Sequence, residues 1–334
     1  MSKFIVITSI YKPKESVSSF SRQDCYELIV VGDKKTPPEW RYDNVIYLSI
    51  ERQEGLGFEL SRHLPYNHYS RKMLGYLYAM SKNPDVIVDT DDDNIPLSNW
   101  SFPEFSGNYP VTPKGMGFVN AYELYTKQNI WPRGYPLRFI NRRETICRNL
   151  ISEKQVNVGV WQGLVNEAPD TDAIYRLISD QMCIFEDNGP YVLDEGTVTP
   201  FNSQNTAFSK DLFVLLYLPA FVTFRFTDIL RGLVAQPIMW LYGFNLGFTN
   251  ATVTQKRNPH DYMKDFEAEI PIYLHSEEII DWVTSCVSAN RKLDENLYEA
   301  YEELHRRNIV CKQELECLEA WLNDWRKTKD CDPE

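Results

Sequence analysis

The residues best suited to chemistry are three adjacent carboxylates, Asp91-Asp92-Asp93, directly after the apolar run Val86-Ile87-Val88. Like charges this close repel one another, and a bound divalent cation is the usual reason to hold them together. Oxygen ligands with no thiol nearby favour Mg²⁺ or Mn²⁺ over zinc. Such an ion would bridge a diphosphate and stabilise it as a leaving group. The competing reading is a solvated acidic loop, and the position right after a strand-like run favours the metal. Upstream, Arg71 and Lys72 are either contacts to that diphosphate or an exposed basic pair.

These residues need elements to position them. Three short β-branched runs open the chain, Phe4 to Ile7, Leu28 to Val31 and Val45 to Leu48, and Val86 to Val88 makes a fourth. Each is followed by polar or turn residues, as strands are. Met73, Leu74, Leu77 and Tyr78 fall on one helical face between Tyr69 and Met80. Strands alternating with longer connections predict βαβ units and a mostly parallel, Rossmann-like α/β sheet. Ligands of such sheets bind beyond the carboxyl ends of the strands. Thr8, Ser9, Asp33 and the acidic triplet all stand at such ends. Residues 94–136 read as mostly loop, 156–208 as short strands and turns, and Asp228 to Trp240 as a helix. Beyond them Ser276 reads as an N-cap, with Glu277 and Glu278 in the first turn. Three apolar stripes follow, through Ile279, Leu297 and Leu318. The expected division is a catalytic domain over 1–270 and a helical appendix over 271–334, which either caps that domain or makes a homodimer.

The bulk numbers narrow the partners. The 334 residues allow one large α/β domain with an accessory piece. A net charge of −12 repels phosphate backbones and anionic lipid heads, so nucleic acid is not an expected partner. Leu212 to Phe224, the longest apolar stretch, is interrupted by Pro219 and too short to span a bilayer. No signal-peptide pattern precedes the first strand, and the seven cysteines form no CxxC pair. No transmembrane segment and a cytoplasmic location are expected.

Several blocks resemble a known family. They are Tyr69-Ser70-Arg71-Lys72-Met73-Leu74-Gly75, Asp89-Thr90-Asp91-Asp92-Asp93-Asn94, Trp131-Pro132-Arg133-Gly134-Tyr135-Pro136, Pro169-Asp170-Thr171-Asp172-Ala173 and Phe224-Arg225-Phe226-Thr227-Asp228. In this order they look like the STELLO-type proteins, from about residue 3 to 265, with the helices after about His275 outside the match. More distantly they are similar to the reversibly glycosylated polypeptides, which are UDP-arabinopyranose mutases. The resemblance implies a GT-A fold, a nucleotide-sugar donor (UDP-linked), a divalent metal and a hydroxyl acceptor on a glycan or similar molecule.

It also implies roles. Asp93 coordinates the metal, Asp91 faces the ribose or the metal and its water shell, and Asp92 faces the donor sugar. Thr8, Ser9 and Asp33 lie where such folds hold the nucleoside, although Asp33 also suits a turn after Gly32. Asp228, at a helix start, is either the general base that takes the acceptor proton or an N-cap. Asp170 and Asp172 bind donor hydroxyls or cap a helix. Arg133 matches the arginine that carries the sugar in the mutases, but Ile140 stands where their second arginine would fall. In a transferase Arg133 holds phosphate or sugar, and a salt bridge is the alternative. His260 completes the metal shell or is a surface residue. Three functions follow: a transferase, a mutase or self-glycosylating protein, and a non-catalytic scaffold. The intact triplet argues against the last.

Overall fold

The computed structural model describes residues 2–256 and 261–329. The first half alternates strand and helix. It runs β1 (Lys3–Thr8), α1 (Glu15–Phe20), β2 (Glu27–Val31), β3 (Val45–Leu48), α2 (Ile50–Gly55), α3 (Lys72–Met80) and β4 (Val86–Thr90). The four expected strands are all present, and they pair in parallel in the order β3-β2-β1-β4. β3-β2-β1 is the order of one mononucleotide-binding half of a doubly wound sheet, and β4 lies where that strand order reverses.

Beyond β4 the sheet becomes mixed. The segment 94–136 contains β5 (Asn94–Pro96), β6 (Ser106–Val111) and β7 (Gly117–Phe118). Then come β8 (Ser152–Asn166), α4 (Ala173–Ile178), β9 (Tyr191–Leu193), β10 (Thr197–Val198) and β11 (Asn205–Ser209). β8 is one long strand where the sequence suggested short ones, because its buried C-terminal half serves two partners. β11 lies antiparallel between β4 and β8, and β12 (Phe244–Gln255) pairs parallel with β8. α5 (Thr227–Leu241) immediately precedes β12.

Period-two alternation sends side chains to two faces. Phe4, Val6 and Ile87 join the core beneath α3 and α5, whereas Ile5, Ile7, Val86 and Val88 join the core on the other face. Asp89 and Asp91 share the parity of Ile87 and are therefore directed to the α3/α5 side. Two glycines let the helices come close there. A Cβ at Gly75 of α3 would lie 2.6 Å from Val6 and 2.7 Å from Val31, and one at Gly232 of α5 would lie 2.6 Å from the Phe201 carbonyl.

The chain ends in α6 (Tyr262–Cys286), α7 (Leu293–Arg306) and α8 (Lys312–Lys329). The 270/271 boundary falls inside α6. The cap of α6 is Asp261, which accepts from the Met263 and Lys264 amides, and Ser276 lies mid-helix with its hydroxyl on the Ile272 carbonyl. Nor do these helices stand apart. Ile279, Val283, Leu297, Tyr301, Leu304, Leu318 and Trp321 are buried in the same core as Leu74, Leu212 and Leu230. Buried Glu314 of α8 accepts from the Ala220 and Phe221 amides at 3.0 and 2.7 Å, and Asp324 accepts from the Leu60 amide. The apolar stripes pack into that core. Among the described residues no helix is long and apolar enough to cross a membrane.

Candidate functional site

A cleft of ≈ 250 Å³ opens beyond the carboxyl ends of β1 and β4. This is just under the ~300–1,000 Å³ usual for small-molecule sites, a size suited to the reacting end of a ligand. Thr8, Asp91, Asp92, Asp93, Arg133, Asp170 and Asp228 line it. Stretches more than 130 residues apart are thus brought to one place.

Below it lies a closed ionic cluster. Asp89 is fully buried between Lys72 Nζ (2.8 Å) and Arg231 (2.7 Å). Burial alone would raise its pKa, but the two cations hold it below the ordinary carboxylate value. Lys72 also donates to the Thr90 carbonyl at 2.7 Å and to Asp91 at 3.0 Å. Burial works against its charge, and Asp89 and Asp91 outweigh it, so its pKa is raised.

Asp91 and Asp93 form the open part of the triplet. The Asp91 carboxyl is pushed up to about 7 by burial, with Lys72 opposing and repulsion from Asp93 and Asp89 adding to the rise. Asp93 is likewise raised, chiefly by burial, and accepts from Gln255 Nε2 at 3.1 Å. Asp92 is turned to the neighbouring loop. Its oxygens accept from Ser9 Oγ at 2.5 Å and Lys14 Nζ at 3.4 Å, and its carbonyl accepts from Ser16 Oγ at 2.6 Å.

Among the described residues no group of three or more His, Cys, Asp or Glu side chains is arranged to hold a metal ion. Asp91 and Asp93 fit an ion of another kind. Mg²⁺ commonly takes one or two protein carboxylates and completes its shell with water and substrate phosphates. Two carboxyls that resist ionisation together are stabilised by such a charge.

Opposite the triplet stands a second cluster at the head of α5. The Arg133 guanidinium bonds Asp170 at 2.7 Å and both Asp228 oxygens at 3.0 and 2.9 Å, and donates to the Arg225 carbonyl. It is buried, and although burial disfavours its charge, Asp170 and Asp228 raise its pKa well above the ordinary value. Asp228 also accepts from the Ser203 amide at 3.2 Å. Each carboxylate oxygen has two acceptor positions, so these bonds leave Asp228 capacity for a further proton donor.

Five residues expected at the donor, Ser9, Asp33, Arg71, Lys72 and Asp172, do not line the cleft. Arg71 is buried, bonded to Gln53 Oε1 at 2.9 and 2.6 Å and lying over the Tyr66 ring. Lys72 is consumed by the cluster beneath the floor, so the basic pair is neither an exposed patch nor a diphosphate contact. Asp172 is fully buried as the α4 N-cap, accepting from the Tyr175 amide at 2.8 Å and Trp131 Nε1 at 2.7 Å. Burial pushes its carboxyl up to about 6. Asp33 is the turn residue, accepting from the Lys34 and His68 amides at 2.7 and 3.2 Å. Ser9 and Asp92 hold each other instead of presenting free groups. His260 lies outside the described residues.

The cleft also contains residues that spacing did not single out: Tyr69, Ser203, Gln204, Phe224, Arg225 and Gln255. The Tyr69 and Ser203 hydroxyls are buried without a hydrogen-bond partner among the described residues. Phe224 is 55% exposed and packs edge-on against Tyr69. Tyr69 opens the block that carries Lys72, and Phe224 and Arg225 open the one that carries Asp228; those were the available signals. The others depend on which strands the sheet sets side by side.

The chain is a mixed α/β protein similar in sequence to proteins named as glycosyltransferases. Its resemblance is to the STELLO type. The family model for STELLO glycosyltransferases matches residues 225–330. Two proteins of Arabidopsis thaliana, named Probable glycosyltransferase STELLO1 and STELLO2, are 25% and 24% identical to it over 96% of the chain. The chain spans 44% of the length of each. The family match takes in α6, α7 and α8, so the similarity extends past residue 265, where the sequence blocks stop.

Proposed function

We propose that the chain is a metal-dependent glycosyltransferase of GT-A type. It would move a sugar from a nucleotide diphosphate donor, UDP-linked, to a hydroxyl on a glycan or similar acceptor. The observation that carries this reading is the meeting, in one cleft at the strand ends, of a paired carboxylate set with an arginine–aspartate cluster. Asp91 and Asp93 are the residues that would hold Mn²⁺ or Mg²⁺. When bound, the ion supplies charge neutralisation at the diphosphate.

The remaining work belongs to the chain. Arg133 fixes Asp170 and Asp228 in place, and Asp170 presents its carboxylate to the sugar hydroxyls. Asp228 takes the acceptor proton as the hydroxyl attacks, and the Arg133 charge beside it stabilises the carboxylate before transfer. Thr8 and the loop held by Asp92 face the nucleoside side. The bridge that encloses Arg133 keeps its guanidinium fully protonated and makes it a poor nucleophile, so we do not extend the proposal to sugar transfer onto that residue.

The test is Asp228→Asn assayed with UDP-sugars, Mn²⁺ and glycan acceptors. Turnover should fall by about 10²–10⁴-fold, the usual worth of a general base, with donor affinity retained. Full turnover in the variant would remove Asp228 from the reaction. Label moved to an isomerised donor or to the protein itself would replace the transferase reading.

A further inference from the structure

The proposed donor brings a diphosphate into a cleft lined by Asp91, Asp92, Asp93, Asp170 and Asp228. A cation offsets only part of that charge, and the sequence offered Arg71 and Lys72 for the remainder. Both are fully buried and committed elsewhere. Arg133 is enclosed by two carboxylates, and Lys14 is drawn to Asp92.

Arg225 is less enclosed than these. It lines the cleft, and its side chain is 13% exposed. Its Nε and Nη2 are anchored: they lie 2.8 and 2.7 Å from Glu269 Oε1, and Nη2 lies 3.4 Å from the Thr171 carbonyl and 3.7 Å from Asp170 Oδ1. Nη1 has no hydrogen-bond partner among the described residues. The anchor is itself rigid. Glu269 of α6 is fully buried and accepts from the Ala173 amide at 2.7 Å and from the Tyr273 hydroxyl at 2.5 Å. An arginine held along one edge presents the other in a set direction, and its planar fork suits phosphate oxygens.

We propose that Arg225 is the cleft's diphosphate contact and that Glu269 is the residue that positions it. The inference rests on the nucleotide-donor reading above. It gives α6 a part in the site: a carboxylate from the helix that spans the expected domain boundary aims a cation at the substrate.

Calorimetric titration of the full chain with UDP, inorganic pyrophosphate and uridine, all with Mn²⁺, tests it. Arg225→Met should weaken UDP and pyrophosphate by about ten-fold or more, about 1.4 kcal/mol, and leave uridine unchanged. Arg225→Lys keeps the charge without the fork and should lose several-fold. It decides the matter if the methionine variant melts early, and unchanged pyrophosphate affinity in it would overturn the assignment. Glu269→Gln should weaken pyrophosphate several-fold in the native background but add nothing to Arg225→Met. A merely structural Glu269 would give additive losses and end the positioning role. If the native chain binds UDP and the methionine variant binds it equally, Arg225 is the wrong residue and the donor reading survives. If the native chain binds neither UDP nor pyrophosphate, both fall together.

Discussion

Asp89 in β4 and Asp91 just past its end stand two residues apart and touch the same lysine, yet they do opposite things. Asp89 is fully buried, with a cation on each oxygen, and its pKa is depressed. Asp91 shares only Lys72, is repelled by Asp93, and is pushed up to about 7. A buried carboxylate with a cation on each oxygen is scaffold, and one left short of positive charge is a place for a ligand. The closed cluster also aims the open one, because Lys72 cannot hold Asp89 without fixing Asp91.

The contrast breaks first at Asp89. Asp89→Asn strips Arg231 of its buried counter-charge and leaves Lys72 with Asp91 alone, and should cost about 3–5 kcal/mol in urea unfolding. A loss within experimental error would mean the cluster is not the scaffold described. Asp93→Asn should leave the urea midpoint in place while weakening Mn²⁺ by at least about 10–100-fold, the loss typical of outer-shell partners. Unchanged Mn²⁺ affinity would count Asp93 as a surface acid. Asp172→Ala removes a helix cap and should cost about 1 kcal/mol of stability, with donor affinity untouched, whereas a fall in donor affinity would return Asp172 to the site.

The smallest effect is a pH slope. Asp91 in the folded chain keeps a proton that the unfolded chain releases near the ordinary carboxylate value, 3.8. Its contribution to stability is therefore present at low pH and is lost as pH rises through about 7. Asp172, raised to about 6, acts in the same direction. Asp89, with a lowered pKa, loses its contribution only below the ordinary range. From pH 5 to 8 the raised carboxyls are opposed by His68, whose pKa burial lowers, so the slope is read against that of Asp91→Asn. Without metal the chain should melt lower at pH 8 than at pH 5, and Mn²⁺ should stabilise it more at pH 8. Equal gains at both values would separate Asp91 from the ion.

Much of the site could be read in the chain. The run before the triplet, the block around Arg133 and the block around Asp228 all reach the cleft. What misled was accessibility. Arg71 and Lys72 look like a surface pair, but Gly75 lets α3 lie so close to β1 and β2 that both are sealed in. Asp172 sits two residues from Asp170 in the same turn, and the onset of α4 swings it into the core. The C-terminal helices show stripes that suit a dimer as well as a cap, and only packing revealed that Leu212 and its neighbours fill them.

The sequence by itself determined the four parallel strands and the arrival of an acidic triplet at the end of the last. Those are encoded by nearest neighbours: β-branched runs, turn residues and the two-residue period. Which carboxylate is neutralised, which is left short, and which arginine keeps an open edge were decided by tertiary structure. Charge in a protein is governed by what water is excluded and what partner is near, and both come from segments far apart in the chain.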